Sequence, residues 1–170
     1  HGLVLVDRDG RPLRPSIIWC DSRAVQLGAD AFKKLGEDYC LSRLGNSPGN
    51  FTAAKLAWVK QNEPEVLAKA AYMMLPGDYV AFKLTGKFGT TPQGLSEGIL
   101  WDFHDGRPAV QVLKHFGLSS SLLPPVTDSV GDFATLSGEV ARELGLPEGI
   151  PVSYRAGDQP NNALALNVLE

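Results

Sequence analysis

Asp158 lies in the run Pro151-Val152-Ser153-Tyr154-Arg155-Ala156-Gly157-Asp158-Gln159-Pro160-Asn161-Asn162-Ala163, which gathers a carboxylate and several amide side chains. A carboxylate can take a proton from a hydroxyl at a cleft, and an amide can donate and accept hydrogen bonds. Val152, Tyr154 and Ala156 alternate as one face of a short strand does. Gly157 permits a sharp turn, and Pro160 suits the first turn of a helix continuing through Ala163, Leu164 and Leu166. Asp158 is thereby expected on a strand-to-helix turn, where the helix dipole favours negative charge. The same residue could serve only as a helix cap. The segment alone supports both readings.

Elements that would position such a site follow from pattern and punctuation. Leu3 to Val6 predicts a strand, Asp7-Arg8-Asp9-Gly10 a hairpin turn, and Ile17 to Cys20 an adjacent antiparallel strand. Ser22 is expected to cap a helix with Val25, Ala29, Phe32 and Leu35 on one face, closed by Gly36. A short helical turn spans Asp38 to Leu44. Asn50 opens a firmer helix with Phe51, Ala54, Trp58 and Val59 as its stripe, and Pro64 opens another through Ala71. Met73 to Leu75 is a short apolar stretch before a helix over Gly77 to Leu84. A short strand is expected near Lys87 to Thr91, with loop beyond it to Phe103. Arg107 to Phe116 predicts a helix starting at Pro108 and stopped by Gly117. Ser137 caps a helix through Leu144, closed by Gly145. This order alone gives an α/β or α+β chain.

Composition excludes several classes. The chain has 170 residues, 44% of them apolar and 21% charged, enough for one domain with a sizeable core. Net charge is −3, from 16 basic and 19 acidic residues, without a basic cluster. Nucleic acid and anionic membranes are therefore not expected partners. No apolar stretch is long enough to span a bilayer, and the start lacks the pattern of a secretory leader. Cys20 and Cys40 are too few for a disulfide scaffold, so free buried thiols and a cytoplasmic location are expected. His1, His104 and His115 lack ligand-like spacing, so no metal site is expected.

Five stretches recur together in one known family. They are His1-Gly2-Leu3-Val4, Pro15-Ser16-Ile17-Ile18-Trp19-Cys20-Asp21-Ser22-Arg23, and Thr52-Ala53-Ala54-Lys55-Leu56-Ala57-Trp58. Leu75-Pro76-Gly77-Asp78-Tyr79 with Leu84-Thr85-Gly86, and Gly157-Asp158-Gln159-Pro160-Asn161-Asn162, complete the set. In these motifs and in their order the chain resembles the FGGY family of carbohydrate kinases, and most closely its xylulokinase branch. The resemblance implies part of a ribonuclease-H-like core of the actin type, with a long helical insertion over the sugar cleft. It implies that residues 1–170 are an internal piece of the N-terminal domain, inactive alone, lacking the phosphate-loop start and the C-terminal ATP-binding domain.

Residue by residue, the resemblance makes Asp158 the catalytic base that accepts the sugar hydroxyl proton. His1 is its sugar-contacting histidine. Trp19 can stack on the apolar face of a sugar or belong to the core. Asp21 is expected at the substrate, with bridging to Arg23 as the alternative. Gln159 can hydrogen-bond sugar hydroxyls, although the family often has Asn there; Asn161 and Asn162 can do the same or cap the helix. Asp78 is explained by the dipole of its helix. Trp58 and Trp101 suit core packing, Lys55 an exposed or cleft-lining cation, and Arg155 the strand face opposite Tyr154 and Ala156.

ATP and Mg2+ are the implied cofactors, held mainly by parts absent from this chain. Gly89-Thr90-Thr91 lacks the Asp of a phosphate-binding Asp-x-Gly-Thr turn and is expected to be loop. The expected partner is a small sugar, a ketopentose such as xylulose, with gluconate, ribulose or glycerol as alternatives. Oligomeric state stays open, a homodimer among the options. A carbohydrate-binding module of the same fold without turnover is the rival class; an unrelated hydrolase lacks a nucleophile set.

Overall fold

Leu3, Val4, Leu5 and Val6 form an unbroken apolar run, which suits a strand covered on both faces. The structure, a computed structural model that describes residues 1–168, has a fully buried strand at Val4–Val6 (β1). Its partner is Tyr72–Met74 (β2), antiparallel, with Val4 opposite Met74 and Val6 opposite Tyr72. The turn at Asp7 forms as expected: Gly10 N–H donates to the Asp7 carbonyl at 3.1 Å, and Asp7 Oδ1 accepts from the N–H groups of Asp9 and Arg11. The predicted strand at Ile17 to Cys20 shrinks to one antiparallel bridge, Leu3 to Ile17. Beyond Ile17 the carbonyls are taken by side chains of a helix instead of a strand partner. Cys20 is consequently exposed, against expectation, and only Cys40 is buried.

Val25–Leu35 (α1) starts from Ala24 with no side-chain cap, so Ser22 does not cap it. A Cβ on its Gly28 would overlap the backbone carbonyl of Gly49. Glu37–Tyr39 (α2) runs into a π-helical turn, Cys40–Leu44. Thr52–Asn62 (α3) takes Phe51, not Asn50, as its N-cap residue. Pro64–Leu67 (α4) stops short of Ala71, whose N–H is claimed by the Val6 carbonyl at 2.8 Å. Pro76–Thr85 (α5) matches its expected helix closely.

The stretch expected to be loop contains a helix, Pro92–Glu97 (α6), capped by Thr91 Oγ1, which accepts from Gly94 N–H at 3.1 Å. The strand expected near Thr91 is one parallel bridge, Thr90 to Val126. Trp101–Asp102 (β3) and Arg107–Pro108 (β4) form a hairpin, so the helix expected from Arg107 begins only at Val110. Asp102 decides this: its Oδ1 accepts the N–H groups of His104 and Asp105, both at 3.0 Å, and closes the turn. Val110–Phe116 (α7) ends at Gly117, left-handed at φ 61° as a glycine stop allows. A 3-10 turn covers Ser120–Leu122.

Val130–Thr135 (β5), unexpected from sequence, pairs antiparallel with Pro151–Tyr154 (β6) across a register irregularity. Between them Gly138–Leu144 (α8) is capped by Ser137 as expected. Asp158–Ala165 (α9) follows β6 directly. The side chain of Tyr154, and Leu169 and Glu170, lie outside the described residues.

The main core gathers Leu3, Leu5, Ile17, Leu56, Met73 and Leu100, with Trp58 and Trp101 packed against it as expected. At its centre is α3, buried on nearly all sides rather than along one stripe, because Ala53, Ala54 and Ala57 admit close neighbours. Lys55 corrects a second expectation, being 0% exposed. Its Nζ donates to the carbonyls of His1 at 3.2 Å, Ile18 at 2.9 Å and Trp19 at 3.3 Å. Burial lowers its pKa. Replacing Lys55 by Met keeps the stem but strips those carbonyls of their donor. We expect a loss of about 2–3 kcal/mol in denaturant unfolding, since unsatisfied buried polar groups cost that order. An unchanged midpoint would show that the ammonium is dispensable.

Candidate active site

One polar set at the start of α3 positions the cleft. Lys55 holds the Ile18 and Trp19 carbonyls, while Asn50 Nδ2 donates to the Asp21 carbonyl at 2.6 Å. With its backbone held from behind, the Trp19 side chain turns outward and is 68% exposed. Thr52 Oγ1 donates to the Gly2 carbonyl at 3.1 Å, fixing the residue after His1. The His1 ring lies 4.7 Å from that of Phe51, centroid to centroid.

These groups border an open cleft of about 810 Å³. His1, Trp19, Asp158 and Gln159 all line it, as do Glu97 and Phe103. Chain ends far apart in sequence thus meet at one hollow. Asp158 is the first residue of α9 and is exposed. Its Oδ1 accepts the Gln159 backbone N–H at 3.0 Å, and the Gln159 amide donates to Oδ2 at 3.4 Å. Gly157, not Asp158, is the N-cap residue.

Gly157 plays another part than the one its turn suggested. Its φ of −72° and ψ of −178° are open to any residue. A Cβ at 157 would overlap the Glu97 carboxyl group, so any larger residue there requires Glu97 to shift. Glu97 is half-buried, and burial pushes its carboxyl above the usual range. Sequence reasoning missed Glu97 because its segment was taken for loop. The signal was there: Thr91-Pro92 is a cap followed by a first-turn proline.

Other predicted residues stand apart from the cleft lining. Asn161 Nδ2 donates to the Ala156 carbonyl at 2.9 Å, a link that closes the turn before α9. Asp21 is engaged by Arg23 through both oxygens, at 2.9 and 2.7 Å, and the Arg23 guanidinium lies 4.6 Å above the Trp58 ring. Such bidentate pairing stabilises the ionised carboxylate.

Asp78, expected only to answer the dipole of its helix, and Arg155, to which the sequence gives no role, form a buried pair. Asp78 is 5% exposed, and burial pushes its carboxyl up to about 6. Arg155 reaches it at 3.6 Å. Both line a smaller cavity of about 180 Å³ that shares His1, Glu97 and Gly157 with the cleft. Nothing local in the sequence announces that pair.

The arrangement is an open hollow lined by one exposed carboxylate at a helix start, the amide next to it, an imidazole, an indole and apolar side chains. Such groups can donate hydrogen bonds to, and accept them from, hydroxyl groups. A model of the N-terminal domain of the FGGY family of carbohydrate kinases matches residues 1–165, and the chain belongs to that family. The xylulose kinase of Streptomyces rubiginosus is 35% identical over 178 residues, covering 99% of this chain and 35% of that protein. The xylulose kinase of Staphylococcus xylosus is 34% identical over 164 residues, covering 96% and 33%. The crystal structure of xylulose kinase from Rhodospirillum rubrum superposes with a TM-score of 0.90 at 29% identity, over 100% of this chain and 35% of that one. The chain spans about a third of the length of the curated relatives it matches. Its fold is part of the ribonuclease-H-like, actin-type core of that family, as the motifs implied. Among the described residues no helix is long and apolar enough to cross a membrane.

The Asp21–Arg23 pair yields a pH prediction. Arg23 hydrogen bonds hold the Asp21 carboxyl down at about 2. A depressed carboxylate keeps its pairing above the usual carboxylate range and loses it as pH falls through the folded value. A carboxyl-carbon NMR titration should therefore find Asp21 still ionised at pH about 3, and Arg23→Ala should return it to about 4. A wild-type midpoint near 4 would break the pairing argument.

Proposed function

We propose that residues 1–170 form the sugar-binding part of the N-terminal domain of an ATP-dependent sugar kinase, acting on a ketopentose, with xylulose the first choice. The observation that carries this reading is the cleft shared by His1, Trp19, Asp158 and Gln159 in a chain of the FGGY family. That both relatives named above are xylulose kinases supports the choice of sugar.

In this reading Asp158 is the general base. Its exposed carboxylate accepts the proton of the sugar hydroxyl as that oxygen attacks the terminal phosphoryl group of ATP. The Gln159 amide donates to one hydroxyl and accepts from another, so the sugar is held with one oxygen toward the base. The His1 imidazole hydrogen-bonds a hydroxyl opposite, and the exposed Trp19 indole offers a flat apolar face to the ring or carbon chain. Asp21 and Asn161 would act at the rim, Asp21 through the outer hydroxyls and Asn161 by holding the turn. Positioning of this kind supplies much of the acceleration in phosphoryl transfer, which asks little covalent chemistry of the protein.

ATP and Mg2+ belong to the same reading, with Mg2+ offsetting phosphate charge when bound. Among the described residues no group of three or more His, Cys, Asp or Glu side chains is placed to hold a metal ion. Nucleotide and metal are assigned to other parts of the whole protein, and residues 1–170 alone are expected to be inactive.

Asp158→Asn in the intact kinase should lower kcat by about a thousandfold, within the range for a lost general base. Sugar affinity measured by calorimetry should stay within about threefold, because the amide keeps the shape of the carboxylate. Turnover equal to wild type would reject the base assignment. Release of ADP across a panel of xylulose, ribulose, gluconate and glycerol would identify the substrate.

A further inference from the structure

The first turn of α5 touches both walls of the cleft. On one side Pro76 packs against Gly2, so closely that a Cβ there would sit 2.9 Å from the Pro76 ring. Gly2 follows His1 directly. On the other side Asp78, on the same helical turn, faces Arg155 at 3.6 Å, and Arg155 stands three residues before Asp158. The guanidinium is itself clamped, lying 4.1 Å over the Phe133 ring of β5, while the Arg155 backbone N–H donates to the Ser129 carbonyl at 3.2 Å. The two side chains are 6% and 13% exposed.

Such a pair is an odd choice for stability. Burying two charges costs desolvation, which their attraction repays only with good hydrogen-bond geometry. Here that geometry is poor: among the described residues Asp78 Oδ2 and all the Arg155 side-chain nitrogens lack a hydrogen-bond partner. What the pair does supply is a link between two elements far apart in sequence. The cavity they border is small, and His1, Glu97 and Gly157 also line it.

We propose that Asp78 and Arg155 are positioning residues, whose buried ion pair ties the first turn of α5 to the end of β6 and so sets the span between His1 and Asp158. The proposal rests on the reading of Asp158 as base. Neither residue lines the main cleft. They act through the backbone: Arg155 holds the strand end, Gly157 abuts Glu97, and Asp158 is the next residue. A carboxylate displaced by even about 1 Å from the attacking hydroxyl loses much of its effect on the rate while the sugar remains bound by other groups.

The test uses the intact kinase with Arg155→Met, Asp78→Asn, the double variant, Arg155→Lys and Asp158→Asn. Arg155→Met and Asp78→Asn should each lower kcat about tenfold or more, with KM for the sugar within about threefold. The double variant should be no worse than the poorer single one, since each change already breaks the tie. Arg155→Lys, which keeps the charge, should recover part of the loss. If Arg155→Met yields no folded protein, Asp78→Asn and Arg155→Lys carry the same comparison. Unchanged kcat in the single variants, additive losses in the double one, or a rise in KM matching the fall in kcat would overturn the proposal. Full turnover in Asp158→Asn would instead overturn the base itself, so the two failures read differently.

Discussion

A buried ammonium group at the start of α3 holds the rest of this site together. Lys55 donates to carbonyls from both chain segments that lead into the cleft, those of His1 on one side and of Ile18 and Trp19 on the other. A strand pairing would have satisfied those carbonyls equally well. It would also have kept Trp19 in a pleat with its neighbours. A side-chain donor satisfies them in a turn, which releases the indole toward open space. Thr52 and Asn50 extend the arrangement to Gly2 and Asp21, so one helix turn anchors three consecutive features of the cleft wall.

The opposite wall is built on other terms. It comes from the β5–β6 hairpin and α9, which carry much exposed apolar surface and only limited packing against the main core. What attaches this unit is specific rather than extensive: Phe133 against Gly89, Arg155 toward Asp78, and Gly157 against the Glu97 carboxyl. Ser137 N–H adds a bond to the Leu84 carbonyl at 3.0 Å. A wall held by a few directed contacts can be exact in placement without being strongly stabilised. That combination suits a group that must face a ligand at a defined distance.

Charge is distributed in keeping with these roles. Asp21 is neutralised by its bidentate arginine. Arg43 likewise bridges Asp102 at 3.1 Å and Asp105 at 3.0 Å, stiffening the hairpin from which Phe103 enters the cleft. Asp158 has no cation bridging it among the described residues. Of the two carboxylates that line the cleft, Asp158 is exposed and Glu97 is half-buried.

Local rules made much of this chain legible in its sequence. Glycine stops at Gly117 and Gly145, the Ser137 cap, the α5 helix and the strand–turn–helix around Asp158 all follow from short-range steric and hydrogen-bonding preferences. The motif order, read as a resemblance, also named the family. Errors occurred where a long-range partner overrode a local preference: Ile17 to Cys20 lost its strand to Lys55 and Asn50, and Arg107-Pro108 joined a hairpin rather than opening a helix. Only the tertiary structure could bring Glu97 against Gly157, or Asp78 toward Arg155. Those contacts join residues far apart along the chain, and no periodicity or capping preference records which distant side chain will fill a given space.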